Sequence, residues 1–445
     1  MPLFFEALQV AAVSLGEAAL ICTLGGVAMA QGHLDGDSLK RVSRFMLRLF
    51  YPCMMLSLYD SFDAERLARW SPVLLVPVAH IAVGVLLGQL ASRLLRVCAP
   101  YRQLTVISCA FGNCAALPFV LAVPVVQNWS RTKDDLEALE TAQGIIGLYL
   151  GVWCLLFFGF GQRYLIHAAG GVAPPKESAS NAAATASAGA ACWRRTCHLL
   201  GDLVDRNTVC TVVAILLGCT PPLRWVLSGG PLRWVSGAWD QIGGAGVTLS
   251  IAILGASLQP TLQRSLPRCC RGGREQAHET RTSTRTSTAA AQAGGAAGGA
   301  EVESRKEKAE AEDGVAVAAV LPAVVLAVAT DAPAASSVAG SADEDARSAR
   351  RMVLASALVK LVLVPAVSIP LITLLAQRTA FPADPAVLMI LHIQSGVPSA
   401  QTAISVLVAA GQATLAQQLA KLYVLQYVLS ALSLAVVIVV AVEMI

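Results

Sequence analysis

The chain has 445 residues, of which 55% are hydrophobic and only 14% are charged, and its mean hydropathy is +0.61. This leaves too little polar surface to cover soluble globular domains, so the composition indicates a membrane protein. The net charge of +4 is spread along the chain without interleaved aromatic residues, which excludes a nucleic-acid footprint.

Apolar stretches of about twenty residues predict transmembrane helices rather than barrel strands. A first set of predicted helices lies at 5–30, 41–59, 71–97, 104–127 and 141–167. A second set lies at 207–226, 236–259, 351–376, 385–411 and 418–443. The fold class is therefore an all-α polytopic membrane protein with about ten transmembrane helices. Because Glu6 comes early and no basic segment precedes it, we expect the first helix to be retained rather than cleaved as a signal peptide.

Two segments of low complexity divide the chain. Residues 169–205 are rich in Ala, Ser, Gly and Pro, which is linker composition, and residues 260–350 form a second such insert. Within the insert, 314–330 is apolar and nearly long enough to span a membrane, but its Ala/Val bias and central Pro favour a loop. We expect both segments in the cytosol. The predicted domains are then 1–168 as one five-helix repeat, with 206–259 and 351–445 as the other.

An odd number of helices in each half requires two similar halves to lie upside down relative to each other, which predicts an inverted repeat. The fourth predicted helix contains FGNCAALPFVLAVP, and the ninth contains IQSGVPSAQTA. Both are interrupted by Gly and Pro at corresponding places. Such broken helices indicate a substrate site near the middle of the membrane.

Several residues of these two helices are candidate substrate ligands, because a broken helix exposes N–H donors and a positive dipole end that favour a carboxylate. Amide and hydroxyl side chains beside the breaks can hydrogen-bond the same anion, or they can cap freed backbone groups. The candidate substrate-binding residues are Gly112, Asn113, Pro118, Gln394, Ser395, Pro398, Gln401 and Thr402.

Few ionisable side chains fall at membrane depth, and each is a functional hypothesis because an unpaired charge is costly there. Lys360 and Glu17 are candidates for a coupling site or a substrate counter-charge, and a structural pair between them is the alternative. His80 and His392 are the other two ionisable residues at membrane depth.

Motifs for enzymatic chemistry are missing from the sequence: it has no phosphate-binding Walker loop, zinc-binding HExxH, nucleophile elbow or dinucleotide fingerprint. Most of the twelve cysteines lie in apolar segments, where a thiol acts as a small hydrophobe. We therefore predict no enzyme activity, no cofactor and no metal site.

Basic residues in the short loops and helix flanks favour one side of the membrane, the side that holds Arg93, Arg96 and Arg102, as cytosolic. Both termini would then be lumenal or extracellular. The sequon Asn128-Trp129-Ser130 falls on the same side as the termini, which is compatible with this orientation.

Four stretches resemble the PIN-LIKES branch of the auxin efflux carriers. AFGNCAALPFVLAVPVV at 110–126 resembles the fourth-helix motif, and PPLRWVLSGGPLRWVSGAWDQIGGAGVTLSIAILGASL at 221–258 is the most specific match. VKLVLVPAVSIPL at 359–371 resembles the eighth helix, and LHIQSGVPSAQTA at 391–403, with the helix after it, resembles the ninth and tenth.

This resemblance implies two five-helix repeats with crossed broken helices, as in bile-acid and sodium/proton carriers. It also implies an indole carboxylate as substrate and residence in the endoplasmic reticulum. Asn113 and Pro118 match the first crossover motif. In the second crossover motif, Pro398-Ser399 stands where the family has two prolines, and Gln401-Thr402 lies near the position of the family's Asn. In the stretch that resembles the eighth helix, Lys360 stands where the family more often has Arg.

The leading functional hypothesis is a secondary carrier of an auxin-like weak acid from cytosol to endoplasmic reticulum lumen, with the plasma membrane as the alternative location. The alternatives are a sodium- or proton-coupled symporter of another organic anion, and a receptor or scaffold that acts through the 260–350 insert. Deletion of the insert separates a carrier, which would remain active, from a scaffold. The expected partners are a small organic anion and the lipid bilayer, with no nucleic acid and with a homodimer left open.

Overall fold

The chain divides into two units, of which the first comprises Met1–Ser257 and Pro333–Ile445 and the second comprises Leu258–Ala332. The computed structural model describes residues 2–99, 101–115, 117–119, 121, 125–126, 129, 136–168, 205–265, 339–378 and 381–445. The second unit contributes only the end of one helix to this set. The predicted linker up to residue 204, and the apolar stretch 314–330, lie outside the described residues.

Helices are the regular elements of the described residues. Before the linker they are α1 Pro2–Ala30, α2 Gly36–Phe45, α3 Tyr51–Ser57, α4 Ala64–Arg69, α5 Leu75–Leu94, α6 Tyr101–Ala110, α7 Leu136–Leu156 and α8 Gln162–Ala168. After it they are α9 Arg206–Cys219, α10 Pro221–Ser228, α11 Arg233–Ser265, α12 Ala339–Leu358, α13 Val364–Arg378, α14 Pro385–Gly396, α15 Thr402–Ala409 and α16 Ala413–Met444.

Among the described residues, five helical stretches are long and apolar enough to cross a bilayer, and they are Ser71–Leu94, Glu137–His167, Arg233–Gln259, Ala346–Arg378 and Ala413–Met444. Helices α9 and α10, which meet at a bend of 99°, make a sixth if they are counted as one span. The all-helical membrane class is therefore confirmed. Helices overlie all ten predicted segments, but the ten-span inverted repeat remains a prediction.

Two helices extend into the segment that the sequence assigns to the insert. Helix α11 continues to Ser265, and α12 begins at Ala339, well before the predicted start at 351. The early part of α12 carries exposed charged side chains such as Glu344 and Arg350. Hydropathy marks only the apolar part of a helix, so it missed these polar ends.

The helix starts follow from local chemistry. The Asp35 carboxylate accepts a hydrogen bond from the Ser38 amide at 2.7 Å and caps α2. The Asp384 carboxylate accepts bonds from the amides of Ala386 and Val387 at 2.8 and 3.2 Å, and Pro385 occupies the first helical position, where no N–H is needed.

Close helix contacts depend on small residues. A Cβ placed on Gly25 of α1 would collide with the backbone of Ala252 in α11, and a Cβ on Gly255 would collide with the backbone of Cys22. These glycines let the backbones of α1 and α11 approach closely, which is how membrane helices gain packing energy when lipid tails are as apolar as leucine.

Candidate functional site

Helix α6 ends at Ala110, and the backbone at 111–115 is not helical. Helical residues resume at 117–119, with Pro118 buried in that first turn. Proline has no N–H to donate, so it fits the start of a helix but not its interior. The Gly112, Asn113 and Pro118 pattern therefore breaks this helix as the sequence predicts.

A second interruption lies at 397–401, between the end of α14 at Gly396 and the start of α15 at Thr402. It contains Pro398. Every residue of α14 from Ala386 onward is buried, which places this interruption deep inside the helical packing.

The two interruptions bind each other through their main chains. The Asn113 amide donates to the Pro398 carbonyl at 2.7 Å, and the Ala400 amide donates to the Phe111 carbonyl at 2.9 Å. Gly112 and Ser399 thereby form an antiparallel bridge. Backbone groups that the broken helices release are satisfied by this exchange, as burial away from water requires. We call this bridged pair of interruptions the crossover.

Side chains from α14 and α16 brace the crossover. The Asn113 amide group donates to the Tyr427 hydroxyl at 2.6 Å, and that hydroxyl donates to the Ser399 carbonyl at 3.3 Å. Gln426 accepts from the Ser399 amide at 3.3 Å, and Gln394 donates to the Cys114 carbonyl at 3.0 Å. The sequence analysis missed Tyr427 and Gln426, although polar side chains within the apolar helix α16 were a signal.

Helix ends give the crossover a distinct electrostatic pattern. Helices α6 and α14 present their carbonyl ends to it, whereas α15 and the helical residues from 117 present their N–H ends. Lys360 lies beside the crossover: a Cβ on Gly112 would be 2.9 Å from its ammonium nitrogen. The Lys360 side chain is 3% exposed, and no ion pair of it with an acidic side chain exists among the described residues.

A small pocket of about 30 Å³ opens at the crossover. Its lining comes from both interruptions, from the start of α15 and from α3, α7 and α11. The residues are Tyr51, Met54, Gly112, Asn113, Cys114, Ala115, Leu150, Trp153, Val247, Ser250, Ala400, Gln401 and Thr402. We call it the crossover pocket. Within this described lining no side chain carries a charge. The lining residues that belong to the interruptions come directly before the N-terminal ends of the helices that follow.

Four predicted substrate ligands, Gly112, Asn113, Gln401 and Thr402, line the crossover pocket. Hydrogen bonds from neighbouring helices hold Gln401 and Thr402. The Tyr51 and Thr402 hydroxyls lie 2.6 Å apart, and the Ser250 hydroxyl donates to the side-chain amide oxygen (Oε1) of Gln401 at 3.3 Å. Tyr51, Trp153 and Ser250 were missed by the sequence analysis, because they belong to other helices and only packing brings them here.

The other predicted site residues lie outside the described lining. Ser395 donates to the His392 carbonyl within its own helix at 2.6 Å, and Pro398 contributes its carbonyl to the bridge. Glu17 is exposed on α1, and no ion pair joins it to Lys360 among the described residues.

The two candidate histidines make contacts of their own. The His80 ring lies 2.9 Å from the Tyr149 hydroxyl, and the His392 ring lies 3.3 Å from the Thr373 hydroxyl. Neither histidine belongs to the described lining of the crossover pocket.

A family model described as a membrane transport protein matches residues 12–268. The match covers more than half of the chain and includes the first interruption. A search of curated proteins gave no significant match. The family consists of transporters rather than enzymes, and the apolar helices agree with an integral membrane protein. The chain therefore belongs to the membrane transport protein family, the domain family of the auxin efflux carriers.

Proposed function

We propose that the protein is a secondary carrier that moves a small organic anion, an auxin-like weak acid such as indole-3-acetic acid, from the cytosol into the endoplasmic reticulum lumen. The observation that carries this proposal is the crossover pocket, where uncharged polar groups and two helix N–H ends meet at bridged interruptions.

The pocket's chemistry favours a monoanion. The positive ends of helix dipoles attract a carboxylate, and Asn113, Gln401 and Thr402 supply hydrogen-bonding groups beside them. Apolar side chains such as Met54, Leu150 and Trp153 supply the surface for an organic body. At about 30 Å³ the pocket is smaller than such an anion, so it has to widen as one helix bundle moves against the other.

We assign the carrier two inverted five-helix repeats, with the broken helices as the fourth and ninth spans. Transport follows by alternating access, in which one helix bundle moves against the other around the crossover. Lys360 lies beside the crossover and outside the described pocket lining. We therefore propose that its positive charge attracts the anion without touching it.

The orientation and membrane come from the charge pattern and the family. Basic residues such as Arg93 and Arg96 flank the proposed cytosolic side. Similarity to the PIN-LIKES branch supports the endoplasmic reticulum membrane and an indole acid. The 260–350 insert then lies in the cytosol.

Uptake of radiolabelled indole-3-acetic acid into proteoliposomes tests this function. Native protein is compared with Asn113→Ala, with benzoate as a second labelled anion and with Gln89→Ala, an exposed amide on α5, as the matched control. We expect saturable uptake of the indole acid by native protein and by the control variant, and its loss in Asn113→Ala. Native protein that takes up neither acid removes the auxin assignment.

A further inference from the structure

Trp153 forms one wall of the crossover pocket. It lies on α7, one helical turn after Leu150, and its side chain is 4% exposed. Its ring stacks on Phe157 with the centroids 4.8 Å apart and the planes at 10°. Phe111 meets the same ring edge-on at 5.7 Å.

These contacts hold the Trp153 ring in one orientation. Phe111 also packs edge-on against Phe157 at 5.2 Å, so the three rings support one another. Phe111 is the residue whose carbonyl accepts a crossover hydrogen bond. The ring of Trp153 is therefore fixed relative to the crossover, as a specificity-determining side chain must be.

The indole nitrogen of Trp153 is buried and has no hydrogen-bond partner among the described residues. Indole N–H is a donor only, and leaving a buried donor unsatisfied is costly. Other polar side chains of the lining have partners, since Tyr51 pairs with Thr402 and Ser250 with Gln401. Of the described lining residues, Trp153 is the one with a buried polar atom left unpaired.

The pocket lining combines an aromatic side chain, Trp153, with the polar groups of the crossover. The carboxylate of a bound acid belongs at the N–H ends beside Asn113 and Thr402. A planar ring belongs against Trp153, because aromatic rings gain from stacked or edge-on contacts beyond the burial of their area. An acceptor atom on that ring then satisfies the unpaired N–H.

We propose that Trp153 is a specificity-determining residue: its N–H donates to an acceptor on the ring of the transported aromatic acid, so the carrier prefers acids with a ring nitrogen or oxygen acceptor over hydrocarbon acids of equal shape. This rests on the proposed function. An indole ring presents an N–H donor at its edge and leaves the donor of Trp153 unpaired. Indole-3-acetic acid is then carried, but an acid with a correctly placed acceptor is carried better.

Competition for uptake of radiolabelled indole-3-acetic acid tests the inference. The competitors are naphthalene-1-acetic acid and its isosteric quinoline-acetic acids, in which a single ring nitrogen replaces one C–H at different positions. We expect at least one quinoline acid to compete about tenfold better than the hydrocarbon acid with native protein, since an unpaired buried donor is costly. Trp153→Phe keeps an aromatic ring and removes the N–H, so this ratio should fall to about one.

Trp239→Phe is the matched control, because Trp239 packs edge-on against Tyr59 and lies outside the described pocket lining. It should keep the native ratio. Saturable uptake without any advantage for a quinoline acid overturns the inference and leaves the proposed function intact, and this comparison needs no variant. An advantage that persists in Trp153→Phe also overturns it. Native protein without uptake overturns the proposed function, and the inference falls with it.

Discussion

The main-chain amide of Asn113 lies 2.7 Å from the carbonyl oxygen of Pro398, so each interrupted helix supplies the hydrogen bond that the other has lost. The bond belongs to the backbone, and its geometry depends on how closely the two chains approach. Gly112 and Ser399 are the residues paired at this point. Side chains that enlarge position 112 should therefore disturb the crossover.

Gly112→Ala should lower both uptake and stability. The added Cβ would lie 2.9 Å from the Lys360 ammonium and 2.9 Å from a methyl group of Val397. Overpacking of this kind costs roughly 1–3 kcal/mol. Thermal unfolding in detergent and the uptake assay measure the two effects.

Gly244→Ala is the control for that change, because a Cβ on Gly244 meets nothing within 4 Å. Alanine also favours a helix over glycine by about 1 kcal/mol, so this variant should keep or raise stability. Equal stability of the Gly112→Ala and native proteins would contradict the close packing at the crossover.

Lys360→Met should raise thermal stability while it lowers the rate of uptake. The Lys360 side chain is 3% exposed, and its ammonium forms no ion pair with an acidic side chain among the described residues. Burying a charge without a partner costs several kcal/mol, and methionine removes this cost at similar length. The same change removes the positive potential beside the crossover, which we expect to slow anion transport.

Lys360→Arg is the comparison that separates charge from packing. It keeps the positive charge, so it should retain more uptake than Lys360→Met does. Unfolding temperature and initial uptake rate are measured for both variants. A Lys360→Met protein that is less stable than native protein would show that the ammonium holds the helices together.

The sequence predicts where the helices lie and where two of them break. The length of an apolar segment and the presence of Gly or Pro are properties of the local sequence, so they can be recognised without knowing the fold. It does not predict that Gly112 pairs with Ser399, since this contact depends on the packing of distant segments. The same holds for the position of Lys360 beside Gly112. These relationships arise only once the helices have packed.

Gln394 and Ser395 show that the sequence does not predict which residues of a single helix line the pocket. Helix α14 is buried on all sides from Ala386 to Gly396, so no apolar stripe indicates which face meets the pocket. Gln394 instead donates to the Cys114 carbonyl, and Ser395 to its own helix. Tyr51 and Trp153, which do line the pocket, have aromatic side chains that look like ordinary core residues in the sequence.

Tyr51→Phe and Thr402→Val should each lower stability, and together they should lower it by less than the sum. Their hydroxyls lie 2.6 Å apart in a buried hydrogen bond. The bond contributes about 0.5–1.5 kcal/mol, and a double-mutant cycle isolates that coupling. Tyr164→Phe, an exposed tyrosine on α8, should have little effect. Strictly additive losses would show that this bond contributes nothing.

Labelling of Cys98 tests the proposed orientation. Cys98 is exposed in the turn between α5 and α6, on the side that the basic residues mark as cytosolic. In a variant whose cysteines at 192, 197, 269 and 270 are replaced by serine, a membrane-impermeant maleimide should label Cys98 in intact microsomes, whose outer face is cytosolic.

Ser228→Cys supplies the opposite control, because Ser228 is exposed at the end of α10 and belongs to the proposed lumenal side. In a Cys98→Ser background, this cysteine should react only after detergent opens the microsomes. Arg93 and Arg96 lie just before Cys98 in the chain, so the result tests directly whether positive charge determines the sidedness of this carrier. The opposite result is that Cys98 reacts only in detergent while Ser228→Cys reacts from outside. It would show that the protein has the reverse orientation, with both termini in the cytosol.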